Sequence, residues 1–366
     1  MGITRRGFIE TTAAAGAGFL TTPVLGQQGI KSCALKDPAK PLQVAFLGLG
    51  RMGDILMSSV AWTKLAKIVA LVDPDPAMRS AAKRKLASMQ KLGIDTNNIA
   101  EFDDYREFYK QTADGVDAVF IATPNHHRLM PSLLAFRNGI HAYIEKPLAY
   151  TVEEGRRMLA EAQKHHAVTQ MGQWGHSQEA VRRLVEYIRA GALGQVTVHW
   201  YDGLKGDTPW DETTWFDGNS TSKLIKDRKV WFTPPLLEEI ERKYNVNLGD
   251  DGSIFVGEKG YIVMGGFGDW IRFFPGELNK PSPEKTIPRV KGGHQVDFLR
   301  GCMGGPTPCA NLEYSQRLNE VVMLGVTAIA EDSGDELTWD AKAGRFTNKE
   351  SANQFLKRNY RKGWEI

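Results

Sequence analysis

The sequence is short of three things, and each shortage excludes a class of protein. Cysteine is scarce: three in 366 residues make no disulfide framework, so stability must come from buried apolar cores. Cys302 and Cys309 could bridge in an oxidising compartment, but free, buried thiols are the expectation, and Cys33 follows no lipoprotein-type box. Charge of one sign is scarce too. A net charge of +3 gives no argument for nucleic acid. Basic residues cluster only at Lys357-Arg358-Asn359-Tyr360-Arg361-Lys362, which reads as the solvated face of a terminal helix. Long apolar runs are missing: after the N-terminal segment nothing reaches the roughly 18 residues that a membrane span needs. The 42% hydrophobic and 24% charged content is that of a soluble globular chain, and the length calls for two domains.

What is present centres on Leu42-Gln43-Val44-Ala45-Phe46-Leu47-Gly48-Leu49-Gly50-Arg51-Met52-Gly53, an apolar run that stops at a glycine and passes at once into a helical pattern. Gly48, Gly50 and Gly53 give the spacing G-x-G-x-x-G, which serves a tight turn, close approach of backbone to a pyrophosphate, and helix-on-strand packing. The helix start, at Arg51 and Met52, offers free N–H groups to the phosphates. Among 37 glycines the spacing alone is weak. Context strengthens it, because a second apolar run, Ile68 to Val72, ends in Asp73, where the ribose-binding acid of a dinucleotide fold stands. A carboxylate there accepts from the ribose 2′-OH and repels a 2′-phosphate, so NAD is expected over NADP.

From Leu42 onward strands and helices alternate: a helix over Pro76 to Lys91, a strand over Val116 to Ile121, a helix from His127 to Asn138 stopped by Gly139, and a strand over Ile140 to Ile144. Thr151-Val152-Glu153-Glu154 is a capping box opening a helix to Lys164, and Val168 to Met171 is a last strand. Alternation with apolar strands predicts a doubly wound parallel sheet covered on both faces. Ligands collect at the carboxyl ends of such strands. Two polar tips stand there. Thr123, Pro124 and Asn125 with His126 and His127 form the first; adjacent histidines diverge, so cofactor or substrate contact is expected and not a metal. Glu145-Lys146-Pro147 forms the second, with a lysine among apolar neighbours where desolvation would tune it for proton transfer, an ordinary ion pair with Glu145 being the alternative.

Gly48 to Gly53, Asp73, Thr123-Pro124-Asn125 and Glu145-Lys146-Pro147 together resemble the glucose-fructose oxidoreductase, inositol dehydrogenase and MocA family, Gfo/Idh/MocA. Gln170-Met171-Gly172-Gln173-Trp174-Gly175-His176-Ser177 and the terminal Asn359-Tyr360-Arg361-Lys362-Gly363-Trp364 are similar to an exported branch of it. The resemblance implies a Rossmann domain over residues 41–172 that binds NAD through the glycines, Asp73, Thr123-Pro124-Asn125 and Glu145. It also implies that Lys146 handles a substrate proton beside the nicotinamide, that the substrate is a sugar, polyol or derivative, and that residues 173–366 form an α+β domain with a mostly antiparallel sheet.

In that second part, Ser177 reads as the cap of a helix whose apolar positions are Val181, Leu184, Val185 and Ile188, closed by Gly191. His176, beyond a strand end and beside Trp174, is a candidate for substrate contact or equally a structural turn histidine, whereas His165 and His166 read as solvated at a helix end. Gln195 to Tyr201 alternates as a strand, Ser253 to Val256 and Tyr261 to Met264 form a hairpin, Trp270 to Phe274 and Leu337 to Trp339 are expected to add strands, and Glu313 to Ala330 gives a long helix. Trp210, Trp215 and Trp231 could line a sugar site or pack under a loop. Gly265-Gly266-Phe267-Gly268 opens no helix and reads as a loop, and the i, i+3 pair His294 and Asp297 has too few partners for a metal. A homo-oligomer through this sheet is expected.

Thr4-Arg5-Arg6-Gly7-Phe8-Ile9-Glu10 followed by a mildly apolar stretch to Leu25 resembles a twin-arginine signal over residues 1–26, before a linker over 27–40. Periplasmic or other export is the expectation, and a cytoplasmic site the alternative if the arginines are incidental. A cofactor carried outside the cytoplasm would stay bound, which favours a self-recycling reaction; the NAD-dependent glycoside hydrolases related to the family work that way. One family feature is missing. Between Gly194 and Gly252 no Asp-x-x-x-His pair appears, His199 being the only histidine there, as though an internal segment were deleted. Firm NAD binding with weak turnover is therefore expected, unless His176 or His199 substitutes.

Overall fold

The computed structural model describes residues 31–197, 235–249, 252–332, 335–362 and 364. Its centre is a six-stranded parallel sheet in the order β3-β2-β1-β4-β5-β6. The strands are β1 (Leu42–Leu47), β2 (Ala66–Val72), β3 (Ala100–Phe102), β4 (Ala118–Ile121), β5 (His141–Ile144) and β6 (Thr169–Met171). The order reverses between β1 and β4, the switch point at which the carboxyl ends open a crevice. Alternation along β1 assigns the two faces: Leu42, Val44 and Phe46 enter one core, and Ala45 and Leu47 the other.

Helices α1 (Arg51–Thr63) and α2 (Pro76–Ser88) follow β1 and β2, while α3 (Tyr105–Thr112), α4 (Leu129–Arg137) and α5 (Val152–Lys164) follow β3, β4 and β5. Their ends obey local chemistry. Asp75 accepts from the Ala77 N–H with Pro76 opening α2, and Gly139 turns with φ +74° after α4. Helix α2 stops at Ser88, short of the expected Lys91, where the chain passes into a single turn of 3₁₀ helix. Strand β3 and helix α3 were not anticipated: three residues are too few to show a period, although Tyr105, Phe108 and Tyr109 make a buried i, i+3, i+4 face.

The alternation ends at Met171, yet two later helices return to this sheet. Helix α8 (His294–Cys302) buries Phe298, Leu299 and Cys302 against α1 and β1, and α9 (Leu312–Glu331) lies along α5 and puts Leu312 into the opposite core. Gly155 sits where a Cβ would come 3.2 Å from Asn319 Nδ2, so α5 and α9 approach closely. Residues 32–36 also dock: Cys33 N–H donates to the His165 carbonyl, Lys36 N–H to the Cys302 carbonyl, and Lys36 pairs with Asp117 at 2.9 Å. His165 is buried, contrary to its reading as solvated, because this segment covers it. None of the three cysteines forms a disulfide; Cys33 and Cys302 are buried and Cys309 is half-buried.

A second, antiparallel sheet has the order β10-β9-β8-β7, from β7 (Val196–Thr197), β8 (Gly252–Gly257), β9 (Gly260–Gly265) and β10 (Ile271–Phe274). The predicted hairpin is there, Gly257 facing Gly260 across Glu258 and Lys259. Helix α6 (Glu179–Arg189) packs Leu184 and Tyr187 on one face against Ile262 and Phe273, and α7 (Pro235–Tyr244) packs Ile240 on the other against Val263 and Phe274. The expected strand near Leu337 does not join this sheet. Its counterpart, β11 (Trp339–Asp340), pairs with β12 (Arg345–Phe346) in a separate ribbon beside the short helix α10 (Glu350–Asn353). His199, Trp210, Trp215 and Trp231, the rest of the strand begun at Val196, and Arg5 and Arg6 lie outside the described residues.

Candidate functional site at the carboxyl ends of the parallel strands

The glycine turn is closed from both sides. Gly48 has φ +85°, and a Cβ there would lie 2.9 Å from the Ala122 carbonyl carbon and the Thr123 nitrogen, so the tips of β1 and β4 touch. A Cβ on Gly53 would meet the Gly48 carbonyl oxygen at 2.0 Å, which fixes the helix start against the strand end. Gly50 differs: nothing lies within 4 Å of its would-be Cβ, and no side chain caps α1. The first turn of α1, with Arg51 exposed and Met52 half-buried, thus has uncapped N–H groups beside open space. That is a cradle suited to a dinucleotide's pyrophosphate.

Asp73 has work beyond the one its position in the sequence suggests. Its Oδ2 accepts the Leu49 N–H at 2.8 Å and its Oδ1 the Asp75 N–H at 2.9 Å, so the carboxylate ties the glycine turn to the end of β2. A carboxylate offers about four acceptor sites. Those left over can take a ribose hydroxyl. Arg79 donates to the Asp73 carbonyl and lies 3.6 Å from Glu101.

At the tip of β4, the Thr123 hydroxyl donates to the His127 carbonyl at 3.1 Å, Asn125 Oδ1 accepts the His126 N–H at 2.9 Å, and Pro124 leads into a 3₁₀ turn over Asn125–His127. The His126 and His127 rings are 6.3 Å apart and inclined by 62°, and no group of metal-ligating side chains forms among the described residues. Burial lowers the His127 pKa, with the charges of His126 and Arg358 adding to the effect. Sequence reasoning overlooked Arg128. Its Nε donates to the Thr123 carbonyl at 2.9 Å and its Nη1 to the Pro147 carbonyl, joining the tips of β4 and β5; burial pulls its pKa down to about 10. No spacing rule singles out such a residue, because the partners are carbonyls on two different strands.

At the tip of β5 the inward and outward places go to Glu145 and Lys146 respectively. Glu145 is 1% exposed, its Oε2 accepts the Lys146 N–H at 3.0 Å, and its Oε1 is buried with no partner. Desolvation raises its pKa against the opposing Lys146 N–H and the charges of Arg128 and Lys146. Lys146 is exposed, and its ammonium makes no ion pair or hydrogen bond with a described residue. The expectation of a lysine among apolar neighbours is thus corrected: consecutive residues at a strand end point to opposite sides, and Glu145 takes the inner one. The open space before Gly50 is a feature of this site that a bound dinucleotide would fill, whereas Glu145 Oε1 is enclosed within the protein.

Beyond β6, Gly172 lies against Glu145, where a Cβ would come 2.4 Å from Oε1. His176 follows on the next turn, half-buried, its ring edge-on to Tyr314 at 4.7 Å; burial, helped by Arg182, lowers its pKa to about 4, so it is neutral at pH 7. Ser177 does not cap α6. Gln178 holds the cap position without a side-chain bond, and Ser177 Oγ lies 2.5 Å from His294 Nδ1. His294 Nε2 is 2.8 Å from the Met171 carbonyl, which only accepts, so Nε2 carries the proton and Nδ1 accepts from the serine hydroxyl. Asp297 Oδ2 accepts the Cys309 N–H at 2.7 Å. The His294 and Asp297 pair therefore ties β6 and the 309 loop to α8.

Residues 42–173 match a family model described as GFO_IDH_MocA, oxidoreductase family, NAD-binding Rossmann fold. Over these residues the chain is similar to the NAD-binding Rossmann domains of the Gfo/Idh/MocA oxidoreductase family. Rhizopine catabolism protein MocA of Rhizobium meliloti is 28% identical over 154 residues, 42% of this chain and 44% of that protein. A glycosyl hydrolase family 109 protein of Shewanella pealeana is 23% identical over 273 residues, 68% of this chain and 57% of the relative. The chain thus spans about half the length of these Gfo/Idh/MocA relatives. A crystal structure of an aldose-aldose oxidoreductase from Caulobacter crescentus complexed with glycerol aligns over 80% of this chain and 98% of its own, with a TM-score of 0.50 and 20% identity, which shows a shared fold.

Proposed function

We propose that the chain is an NAD-dependent oxidoreductase acting on a sugar, polyol or sugar derivative, with Lys146 as its proton-transfer group. One observation carries the reading: the glycine cradle, Asp73, the Thr123-Pro124-Asn125 tip and Lys146 all stand at the carboxyl ends of one parallel sheet, and Lys146 is exposed beside a buried carboxylate with a free oxygen. NAD, when bound, supplies the hydride acceptor. Backbone N–H groups of the α1 turn would hold the pyrophosphate and Asp73 the adenosine ribose, and the Glu145 carboxylate would stand near the nicotinamide half. Lys146 Nζ accepts or relays the proton of the substrate hydroxyl. Replacing Lys146 with Met should lower turnover by about 10² to 10⁴ without loss of NAD binding. Unchanged turnover with a panel of sugars would remove Lys146 from this role.

His176 is the candidate for the second acid–base group that the segment 194–252 lacks; it is neutral at pH 7, and a negatively charged or hydrogen-bonding substrate would have to raise its pKa from about 4 for efficient proton transfer. Without such a substitute, the reading is of firm cofactor binding with little turnover. His176→Gln combined with His199→Gln tests it: turnover in the ordinary range of about 1 to 10³ s⁻¹ in that double variant would show that neither histidine is needed.

A second reading is supported by the longer alignment, which runs to a glycosyl hydrolase family 109 protein. Redox-neutral cleavage of a glycoside by a cofactor that stays bound fits the same tips. Release of p-nitrophenol from aryl glycosides, with no net NADH formed, distinguishes it from sugar oxidation. Export directed by Arg5 and Arg6 belongs to this proposal; both changed to Lys should hold the protein in the cytoplasm, and unaltered fractionation counts against it. Self-association through the C-terminal sheet also belongs to it, and a monomer in sedimentation velocity would remove it.

A further inference from the structure

The basic C-terminal run, expected as the solvated face of a helix, is no helix. It crosses the protein as an extended segment and lies on the tip of β4. Arg358 Nε donates to Glu154 Oε1 at 2.6 Å and the Tyr360 hydroxyl to the same oxygen at 2.7 Å, while Glu154 Oε2 accepts the Tyr150 N–H at 2.9 Å. Glu154 is 1% exposed, so a buried carboxylate has its charge met from 204 residues away. The other arm of Arg358, Nη2, donates to the His126 carbonyl. Trp364 supplies a second hold: its ring is 5.1 Å from His127 and 6.4 Å from Tyr105, with the Arg106 guanidinium 4.5 Å from its centroid. A cavity of about 190 Å³ remains between segment and tip, lined by His126, His127, Leu129, Met130, Tyr360 and Trp364.

We infer that residues 358–362 together with Trp364 act as a strap that positions the Thr123–His127 tip for the cofactor, with Arg358 and Trp364 as its positioning residues. The linkage is short. Arg358 holds the His126 carbonyl, Trp364 holds the His127 ring, and the His127 carbonyl in turn accepts the Thr123 hydroxyl. The tip's other ties are the Asn125 bond to the His126 N–H, Arg128, which also reaches the Pro147 carbonyl, and ring contacts of His127 with Tyr105 and of His126 with Tyr150. Without the strap, Pro124 and Asn125 sample more conformations, and ordering them on binding costs affinity. The inference rests on the NAD-binding reading of this tip.

The test uses the full chain and measures NAD affinity by calorimetry alongside thermal melting. Arg358→Ala and Trp364→Ala should each raise the NAD dissociation constant about tenfold. Trp364→Phe should recover most of the affinity, and Arg358→Lys, which reaches one acceptor at a time, should fall between Arg358→Ala and the parent. Arg156→Ala is the control; it cuts the Arg156–Glu320 pair at 2.8 Å away from the tip, and should lower the melting temperature with NAD affinity kept. Strap variants that bind NAD as the parent does overturn the inference, and so does a control that weakens binding equally. If the alanine variants do not fold, Arg358→Lys decides, parental affinity there counting against the strap. A parent chain that fails to bind NAD refutes the oxidoreductase reading and the strap with it.

Discussion

The two sheets of this protein make different use of similar material. The parallel sheet is covered on both faces by helices drawn from the whole chain, including α8 and α9 from far beyond its last strand, and all of its polar tips lie at one end. Among the described residues the antiparallel sheet has four strands and one helix on each face. The parallel sheet gathers groups from β1, β4, β5 and β6 at a common edge because parallel strands all end on the same side, whereas antiparallel strands send alternate ends apart. The polar groups of the candidate site are thus gathered on the first sheet.

The sharpest way to break that contrast is at the turn itself. Gly53→Ala places a methyl 2.0 Å from the Gly48 carbonyl, and should abolish measurable NAD binding and cost roughly 3 kcal/mol or more of stability. Retained binding with a parental melting temperature would mean that the turn tolerates opening. A core deletion in the other sheet is the counterpart. Ile262 is fully buried, and Ile262→Ala should cost about 2 to 5 kcal/mol in chemical denaturation yet leave NAD affinity alone. A loss of NAD binding there would show that the small sheet shapes the cofactor site.

A smaller effect separates the two duties of Asp73. Asp73→Asn keeps an acceptor for the Leu49 N–H and removes the charge, so the preference for NAD over NADP should shrink by about tenfold with the fold intact. Parental discrimination by the variant would place the selectivity elsewhere.

The smallest expected effect is a gradual one with pH. His141, His176 and His294 are each held by burial near a pKa of about 4, below the 6.5 of an unfolded histidine. Between those values the unfolded chain binds more protons, so the stability these residues contribute is complete above about pH 6.5 and falls as the pH drops toward 4. His141 lies on β5 and His294 bonds the Met171 carbonyl at the end of β6, while His176 follows β6 and its carbonyl accepts from Arg182 on α6. His294→Gln should flatten part of the slope of melting temperature against pH, and an unchanged slope would assign it to other groups. Glu186 gives the comparison from the antiparallel side: its hydrogen bonds from Arg289 hold its pKa at about 2, so its contribution is present above about 4.5 and is lost as the pH falls toward 2, a separate window.

Much of the parallel half could be read directly. Its strands are apolar runs bounded by Gly48, Gly139 and Pro124, and Thr151 caps α5 as its spacing suggests. Two misreadings share one cause. Ser177 was expected to cap α6 and instead bonds His294, more than a hundred residues on, and the 357–362 run was expected as a helix and instead bonds Glu154 and the His126 carbonyl. Both are settled by partners distant in the chain, and spacing rules see only neighbours. Lys146, expected to be shielded, is exposed because Glu145 takes the inner place at the strand end.

What the sequence determined by itself is therefore local: where strands end, where glycines turn, and that an acid follows β2 at the reach of a ribose. Those features depend on backbone sterics and on side chains a few residues apart, which any stretch of chain carries with it. The tertiary structure alone decided that Arg128 ties two tips together, that Asp73 clamps the turn it was expected only to face, that α8 and α9 return to complete the first core, and that Glu154 is neutralised by Arg358. These are long-range pairings of buried polar and apolar groups. Burial makes them obligatory, since an unpaired buried charge or an open core face costs more than the chain can spare, but only the folded topology names the partner.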